Sequence, residues 1–188
     1  MEKVYGEKVI LRPLERSDLK KMVEWDGDEE IERYVGKKLA SFSSAAEWYE
    51  RLQKDRRRKA LAIESKDGEF IGDIQLEQIS WKSRSAELRI CIGNKSFWNA
   101  GYGTDAVWTL LGLAFKKMGL KEIYLRVYTN NHRAIRCYEK CGFRRQGVLR
   151  LGSRRKQDEG VGDLLLMGIN RNTYFQLDLL GQVGSSGM

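Results

Sequence analysis

The chain has 188 residues, 41% of them hydrophobic and 32% charged, with 34 Lys and Arg against 26 Asp and Glu, a formal charge of +8 at pH 7. A chain of this size and balance buries one proper core, so a single ordinary globular domain is expected. No apolar run approaches the roughly 20 residues that span a bilayer, and the opening "MEKVYGEKVILRP" lacks the organisation of a secretion signal, so a cytoplasmic protein without a membrane partner is expected.

Residues Lys8 to Leu14, "KVILRPL", read as a first strand ended by Pro13, the only proline. A helix follows from Ser17 or Asp18, with Leu19, Met22 and Val23 on one side. The acidic stretch "DGDEEIERYVG" has Gly27 and Gly36 at its margins. "SSAAEWYERLQKDRRRK" (Ser43 to Lys59) reads as a second helix, with Trp48, Leu52 and the stem of Arg56 or Lys59 along one side. "ALAIES" and "EFIGDIQLEQI" are then two strands, and the Asp67-Gly68 turn between them is a hairpin signal.

Residues Ser85 to Gly93, "SAELRICIG", form the next strand, in which Glu87, Arg89 and Cys91 alternate with Leu88, Ile90 and Ile92. After a glycine turn comes the clearest helix, with Val107, Leu110, Leu111, Ala114, Phe115 and Met118 at helical spacing and Gly119 as its stop. "KEIYLRVYT" is a strand and "NNHRAIRCYEKC" a helix capped near Asn130 or Asn131 and stopped by Gly142. "FRRQGVLRL" and "VGDLLLMGI" close the domain as a strand pair around the charged loop "GSRRKQDEG". The order βααβββαβαββ implies an α/β domain with one sheet and helices on both faces. Residues 1–175 are assigned to it, and 176–188 are expected to be a disordered tail.

The turn "FWNAGYGTDAV" poses the functional question. Gly101 and Gly103 stand just before a helix, where free N–H groups and the helix dipole favour an anion. "GYGTDA" also satisfies the dinucleotide fingerprint. Against that, "NKSFW" separates strand from turn, the next strand ends "RVYTNN" with no acid for a ribose, and about 100 residues remain from Ser85 onward. A nucleotide P-loop lacks its Gly-Lys-[Ser/Thr]. A helix start that merely needs glycines to turn is the plain alternative.

Taken together, "AELRICIG", "FWNAGYGTDAV", "LRVYTNNHRAIRCYEKCGF" and the closing "GDLLLMGI" resemble the GNAT superfamily of acetyl-CoA-dependent N-acetyltransferases. The opening "VILRPLERSDL" looks like its RimJ/RimL-like branch, which acetylates protein N-termini and has close relatives acting on polyamines. The resemblance runs from about Val9 to Ile169. The superfamily often has Gln or Arg three residues before the first glycine, where this chain has Trp98. The resemblance implies a mixed, mostly antiparallel central sheet with helices on both faces, acetyl-CoA as cosubstrate and no metal.

For the cofactor, backbone N–H groups of Asn99, Ala100, Gly101, Tyr102, Gly103 and Thr104 face a diphosphate. Backbone groups of Ile90, Cys91 and Ile92 are placed to pair with pantetheine amides as an added strand would. By resemblance, Asn131 contacts the pantetheine arm, with Ala134 also at the cofactor; a helix N-cap is the bland role of Asn131, and the two can coexist. Tyr138 lies two turns after Asn131 on the same helical face. Its phenol, near pKa ~10, is protonated at neutral pH and can donate to a leaving thiolate, as the Tyr of this motif commonly does in the family.

An acceptor amine near pKa ~10.4 must shed a proton before it attacks. Glu87 is the leading candidate base, directly or through water; an ordinary salt bridge to an adjacent strand is its competing role. His132, the only histidine, is expected to be exposed or beside the cofactor. Cys137 and Cys141 share a helical face, but one histidine and no Cys-rich segment argue against zinc. Cys91 has no activating base nearby for an acyl-enzyme. The three cysteines suit free thiols.

The expected reaction moves the acetyl group to a primary amine by direct attack in a ternary complex. The acceptor is a protein N-terminus of the ribosomal-protein type or a polyamine. The acidic stretch Trp25 to Tyr34 suits a polycation, with a solvated helix carrying first-turn acids as its favoured plain reading; the basic runs Asp55 to Lys59 and Ser153 to Lys156 suit rRNA and a ribosome association, and solvated helix and loop ends explain these runs equally well. A homodimer is compatible with all of this. The alternative class is a non-catalytic module that senses acetyl-CoA or binds RNA, although no RNP1-like motif is present.

Overall fold

The computed structural model describes residues 2–35, 41–150 and 163–181. Gly36, the loop 152–160 with its basic run, and the tail beyond 181 lie outside the described residues. In chain order the elements are β1 (Val4–Tyr5), β2 (Val9–Pro13), α1 (Leu19–Asp26), α2 (Glu29–Val35), α3 (Phe42–Lys54), β3 (Lys59–Ser65), β4 (Phe70–Ser80) and β5 (Ser85–Ile92). They continue as α4 (Tyr102–Gly112), β6 (Glu122–Tyr128), α5 (His132–Lys140), β7 (Arg144–Leu149), β8 (Leu164–Asn170) and α6 (Arg171–Leu179).

The eight strands form one sheet in the order β1-β2-β3-β4-β5-β6-β8-β7. Every neighbouring pair is antiparallel except β5 and β6. The pleat sends alternate side chains of the central strands into two different layers. Leu61, Ile63, Ile74, Leu76, Leu88, Ile123 and Leu125 join the main core with Val107, Leu110, Leu111 and Phe115 of α4. On the other face Ala62 and Phe70 meet Leu19 and Met22 of α1 and Ala45 of α3 in a smaller core. The helices therefore cover both faces of a mixed, mostly antiparallel sheet, as the resemblance implies.

Several boundaries differ from the sequence expectation for identifiable reasons. Helix α3 begins at Phe42, because the Ser41 side chain accepts the Ser44 N–H as a cap, and it ends at Lys54. Arg56 and Lys59 are thus not on its stripe: the Asp55 carboxylate accepts the Arg57 N–H at 2.8 Å in the turn, and Lys59 opens β3. The acidic stretch does form the helix with first-turn acids, opened by Asp28, which accepts from the N–H groups of Glu30 and Ile31 at 3.0 and 3.3 Å. After α4 the helix widens into one π turn over Leu113–Lys117. The extra residue per turn rotates the stripe, so Leu113 is buried while Met118 is only half-buried. The expected disordered tail from 176 is corrected: α6 runs to Leu179, capped by Asn170, whose side chain accepts the Thr173 N–H at 2.9 Å.

Candidate active site

Strands β5 and β6 pair only from Ser85 to Glu87 against Glu122 to Tyr124. Beyond that point β5 stays with β4 as far as Ile92, opposite Gly72, and β6 stays with β8 as far as Tyr128, opposite Leu164. The two strands part, and from Leu88 to Ile92 the β5 edge faces the gap, with no further pairing to β6 among the described residues. A cleft of about 310 Å³ fills this opening, walled by β5, the start of α4 and one side of α5, with Ile31 and Tyr34 of α2 at its margin. Ile90, Cys91, Ile92, Asn99, Gly101, Gly103, Thr104, Asn131, Ala134 and Tyr138 all line it. Ala100 and Tyr102 do not. The Ala100 carbonyl accepts from Lys8 Nζ at 3.1 Å, and the Tyr102 ring packs edge-on against Phe97 with centroids 4.8 Å apart.

The turn into α4 borders the cleft through Asn99, Gly101, Gly103 and Thr104. Asn99 and Gly101 take left-handed φ values of 59° and 87°, a conformation that costs glycine nothing. The first-turn N–H groups of Tyr102, Gly103 and Thr104 have no acceptor among the described residues. Asp105 is not available to repel an anion there, because its carboxylate accepts the N–H groups of Glu7, Lys8 and Val9 at 3.0, 2.7 and 2.9 Å. That clamp ties the turn to the start of β2.

Trp98, the departure from the family pattern, has a clear local role. Its indole N–H donates to the Ile92 carbonyl at 2.7 Å, and the Arg133 guanidinium lies 3.5 Å from its ring centroid. Arg133 lines the cleft beside the turn, so a positive charge still stands there, delivered from α5. Sequence reading missed it, although a cation two residues after Asn131 and an unexplained Trp were both visible.

Asn131 caps α5, accepting the Ala134 N–H at 3.1 Å. Tyr138 is buried on the same helix, edge-on to Phe143 at 5.8 Å between ring centroids. Burial, followed by the nearby cysteines, pushes its phenol well above the ordinary tyrosine range, so it is protonated at any physiological pH. Cys137 accepts from the Thr104 hydroxyl at 3.5 Å, and hydrogen bonding from Cys141 draws its thiol below the usual value. His132 is exposed. Among the described residues no group of three His, Cys, Asp or Glu could hold a metal ion.

Glu87 requires a correction. Its carboxylate accepts Arg126 Nε at 2.9 Å, Arg126 Nη2 at 2.8 Å and Gln78 Nε2 at 2.9 Å, and it lines neither the cleft nor the second cavity next to it. Of its two candidate roles, the salt bridge to an adjacent strand is the one observed. Arg126 sits two residues beyond the last β5–β6 pair, so the ion pair spans the vertex of the splay. The second cavity, of about 240 Å³, shares Arg89 and Cys91 with the cleft and was not legible in the sequence.

The family model described as an acetyltransferase (GNAT) domain matches residues 8–144. The spermidine N(1)-acetyltransferase of Escherichia coli (strain K12) is 31% identical over 142 residues, 75% of either chain. The crystal structure of the Vibrio cholerae spermidine N-acetyltransferase in complex with CoA and spermine superposes with a TM-score of 0.81 at 27% identity, covering 90% of this chain and 99% of that one. A dodecameric structure of the same Vibrio cholerae enzyme gives 0.76 at 26% identity, covering 90% and 97%. With a splayed sheet, a glycine turn at the helix start and a family match over most of its length, the chain belongs to the GNAT acetyltransferases.

Proposed function

We propose that the chain moves the acetyl group of acetyl-coenzyme A to a primary amine by direct attack in a ternary complex, with a polyamine as the acceptor. One observation carries the reading. The β5 edge beyond its last pair with β6, Gly103 and Thr104 of the α4 first turn, and Tyr138 wall a single cleft. Acetyl-coenzyme A, when bound, supplies the thioester whose carbonyl carbon is attacked. The amides of Asn99, Gly101, Gly103 and Thr104 suit its diphosphate, with Arg133 adding charge. The β5 edge suits its amides, as a strand would, and the Asn131 amide, already fixed by its capping role, reaches the same wall. The Tyr138 phenol holds a proton for the sulfur as the carbon–sulfur bond breaks. Glu87 acts as a positioning residue that fixes Arg126 at the cleft.

The acceptor reading draws on relatives named for spermidine and on Asp26, Asp73 and Glu77 in the cavity next to the cleft. Asp28 and Glu30 of the acidic stretch are not part of it, since both bind Lys95 Nζ, at 2.8 and 2.9 Å. Thiol release from acetyl-CoA should be followed with spermidine, an aminoglycoside and peptides with free N-termini. Spermidine is expected to give the highest kcat/KM. A peptide preferred over spermidine would move the acceptor to protein N-termini. Tight coenzyme A binding without turnover on any amine would replace the enzyme by a sensor.

A further inference from the structure

The second cavity lies on the small-core face, where α1 and α3 cover β4 and β5. Its floor is the polar side of the β4–β5 ladder, on which Asp73 stands opposite Cys91, Gln75 opposite Arg89 and Glu77 opposite Glu87. Trp25 and Trp48 wall it. A Cβ at Gly93 would fall inside the Trp25 ring, so the glycine is what lets that indole lie against the end of β5.

Three carboxylates on this face, Asp18, Glu87 and Glu77, pair with arginines. Asp18 is held by both terminal nitrogens of Arg12 at 2.8 Å, Glu87 by Arg126 at 2.8 Å, and Glu77 by Arg89 at 3.3 Å. Asp73 is 5% exposed and receives one neutral hydrogen bond, from Gln75 Nε2 to Oδ2 at 2.6 Å. Its Oδ1 has no partner, and no cation pairs with it, among the described residues. A largely enclosed carboxylate without a counter-charge favours a cation beside it. A cationic ligand meets that preference, and indole faces add to its binding. Arg58 and Asp26 also border the cavity, so its charged lining is three acids against two arginines.

Resting on the acetyl-transfer reading, we infer that this cavity is the acceptor pocket and that Asp73 binds an ammonium group of the acceptor. An ammonium held by Asp73 has no lone pair and cannot attack. The nucleophile is therefore a second nitrogen of the same molecule, one register position from the cofactor cleft through Cys91. The pocket selects amines that carry two nitrogens, and Asp73 is the residue that reads the second charge.

The test compares 1,5-diaminopentane with pentylamine as acceptors for wild type and Asp73→Asn. The expected result is a rise of about tenfold or more in KM for the diamine, with kcat changed less than threefold, the pentylamine KM within twofold and coenzyme A affinity unaltered. An unchanged diamine KM, or equal losses for both amines, overturns the assignment. Should Asp73→Asn fail to fold, Trp48→Leu takes its place, with a diamine-selective KM rise of about fivefold supporting the pocket and none refuting it. Should wild type acetylate neither amine, the acetyl-transfer reading falls by itself. The pocket is then judged by calorimetry of 1,5-diaminopentane with the coenzyme A complex: binding by wild type that Asp73→Asn loses sustains it, and no binding overturns it.

Discussion

Glu87→Gln, Arg126→Gln and the double variant form a cycle that separates a base from a positioning residue. The Glu87 carboxylate is 5% exposed and accepts three hydrogen bonds, two of them from Arg126, whose side chain is 47% exposed. A hydrogen bond to a charged group contributes about 1.5–3 kcal/mol. Glutamine retains one acceptor oxygen, and a half-exposed Arg126 recovers water when its partner is neutral, so the loss for Glu87→Gln is discounted to about 2 kcal/mol. For a chain of this size that is a Tm drop of about 4–8 °C. Arg126→Gln is worse, about 3 kcal/mol, because it strands the buried carboxylate. The double variant should reveal a coupling of about 1–2 kcal/mol. Because the pair bridges the splay vertex, the KM for acetyl-CoA should rise several-fold while kcat falls less than about fivefold. Thermal melts, coenzyme A calorimetry and initial rates measure all of these. A kcat loss of about 10²-fold with an unchanged Tm would restore Glu87 as the base. Strict additivity would deny the ion pair.

Three further outcomes follow from the same geometry. Tyr138→Phe keeps the packed ring and removes the hydroxyl, so kcat should fall by about 10²-fold or more with coenzyme A affinity unaltered; an unchanged rate removes the phenol from proton transfer. Gly103→Leu should leave Tm intact, since a Cβ there meets only Cys137 Sγ at 3.7 Å and Ile92 Cγ1 at 3.9 Å, while the added bulk raises the Kd for coenzyme A about tenfold or more; unaltered affinity by calorimetry refutes the diphosphate seat. Hydrogen bonding to Asp178 raises the Lys116 ammonium above its ordinary range. Its stabilisation is therefore complete below the unfolded value near ~10.4 and disappears as pH climbs through the raised folded value. With side chains 46% and 33% exposed, the pair contributes about 0.5 kcal/mol, so Lys116→Met should lower Tm by about 1–2 °C at pH 7 and by nothing at strongly alkaline pH. A pH-independent difference would assign the effect to packing instead.

Where one face of an element buries a continuous stripe, the sequence was legible. The alternation in β5, the periodicity of α4 and the Asp67-Gly68 hairpin all appear where the residues place them. Helix α6 was missed because Tyr174 is its one fully buried residue, and a single anchor has no period to detect. What holds it is tertiary: the Tyr174 ring lies 4.5 Å from Trp108 and 5.4 Å from Phe115 between centroids, and Lys116 Nζ reaches Asp178 at 2.7 Å. The two-residue β1 was lost for the opposite reason, being too short to show any alternation.

The same distinction divides the site. A diphosphate seat uses backbone N–H groups of one loop and the end of one helix, so its residues are contiguous and their types are constrained by turn geometry. Gly101 must be left-handed, Gly103 must leave room, and Asn131 must cap. Local sequence therefore carries the information. The second cavity draws on α1, α3, β4 and β5, and Asp73 meets Cys91 only because the hairpin register sets them opposite each other. Read along the chain, Asp73 is one acid in an alternating strand, a position that normally faces water. It is α1 and α3, packed over that face through Leu19, Met22 and Ala45, that change a solvated carboxylate into a buried one. A charge enclosed by residues 28 to 54 positions away has no local signature. Its detection requires knowing both what covers it and that no cation among the described residues answers it.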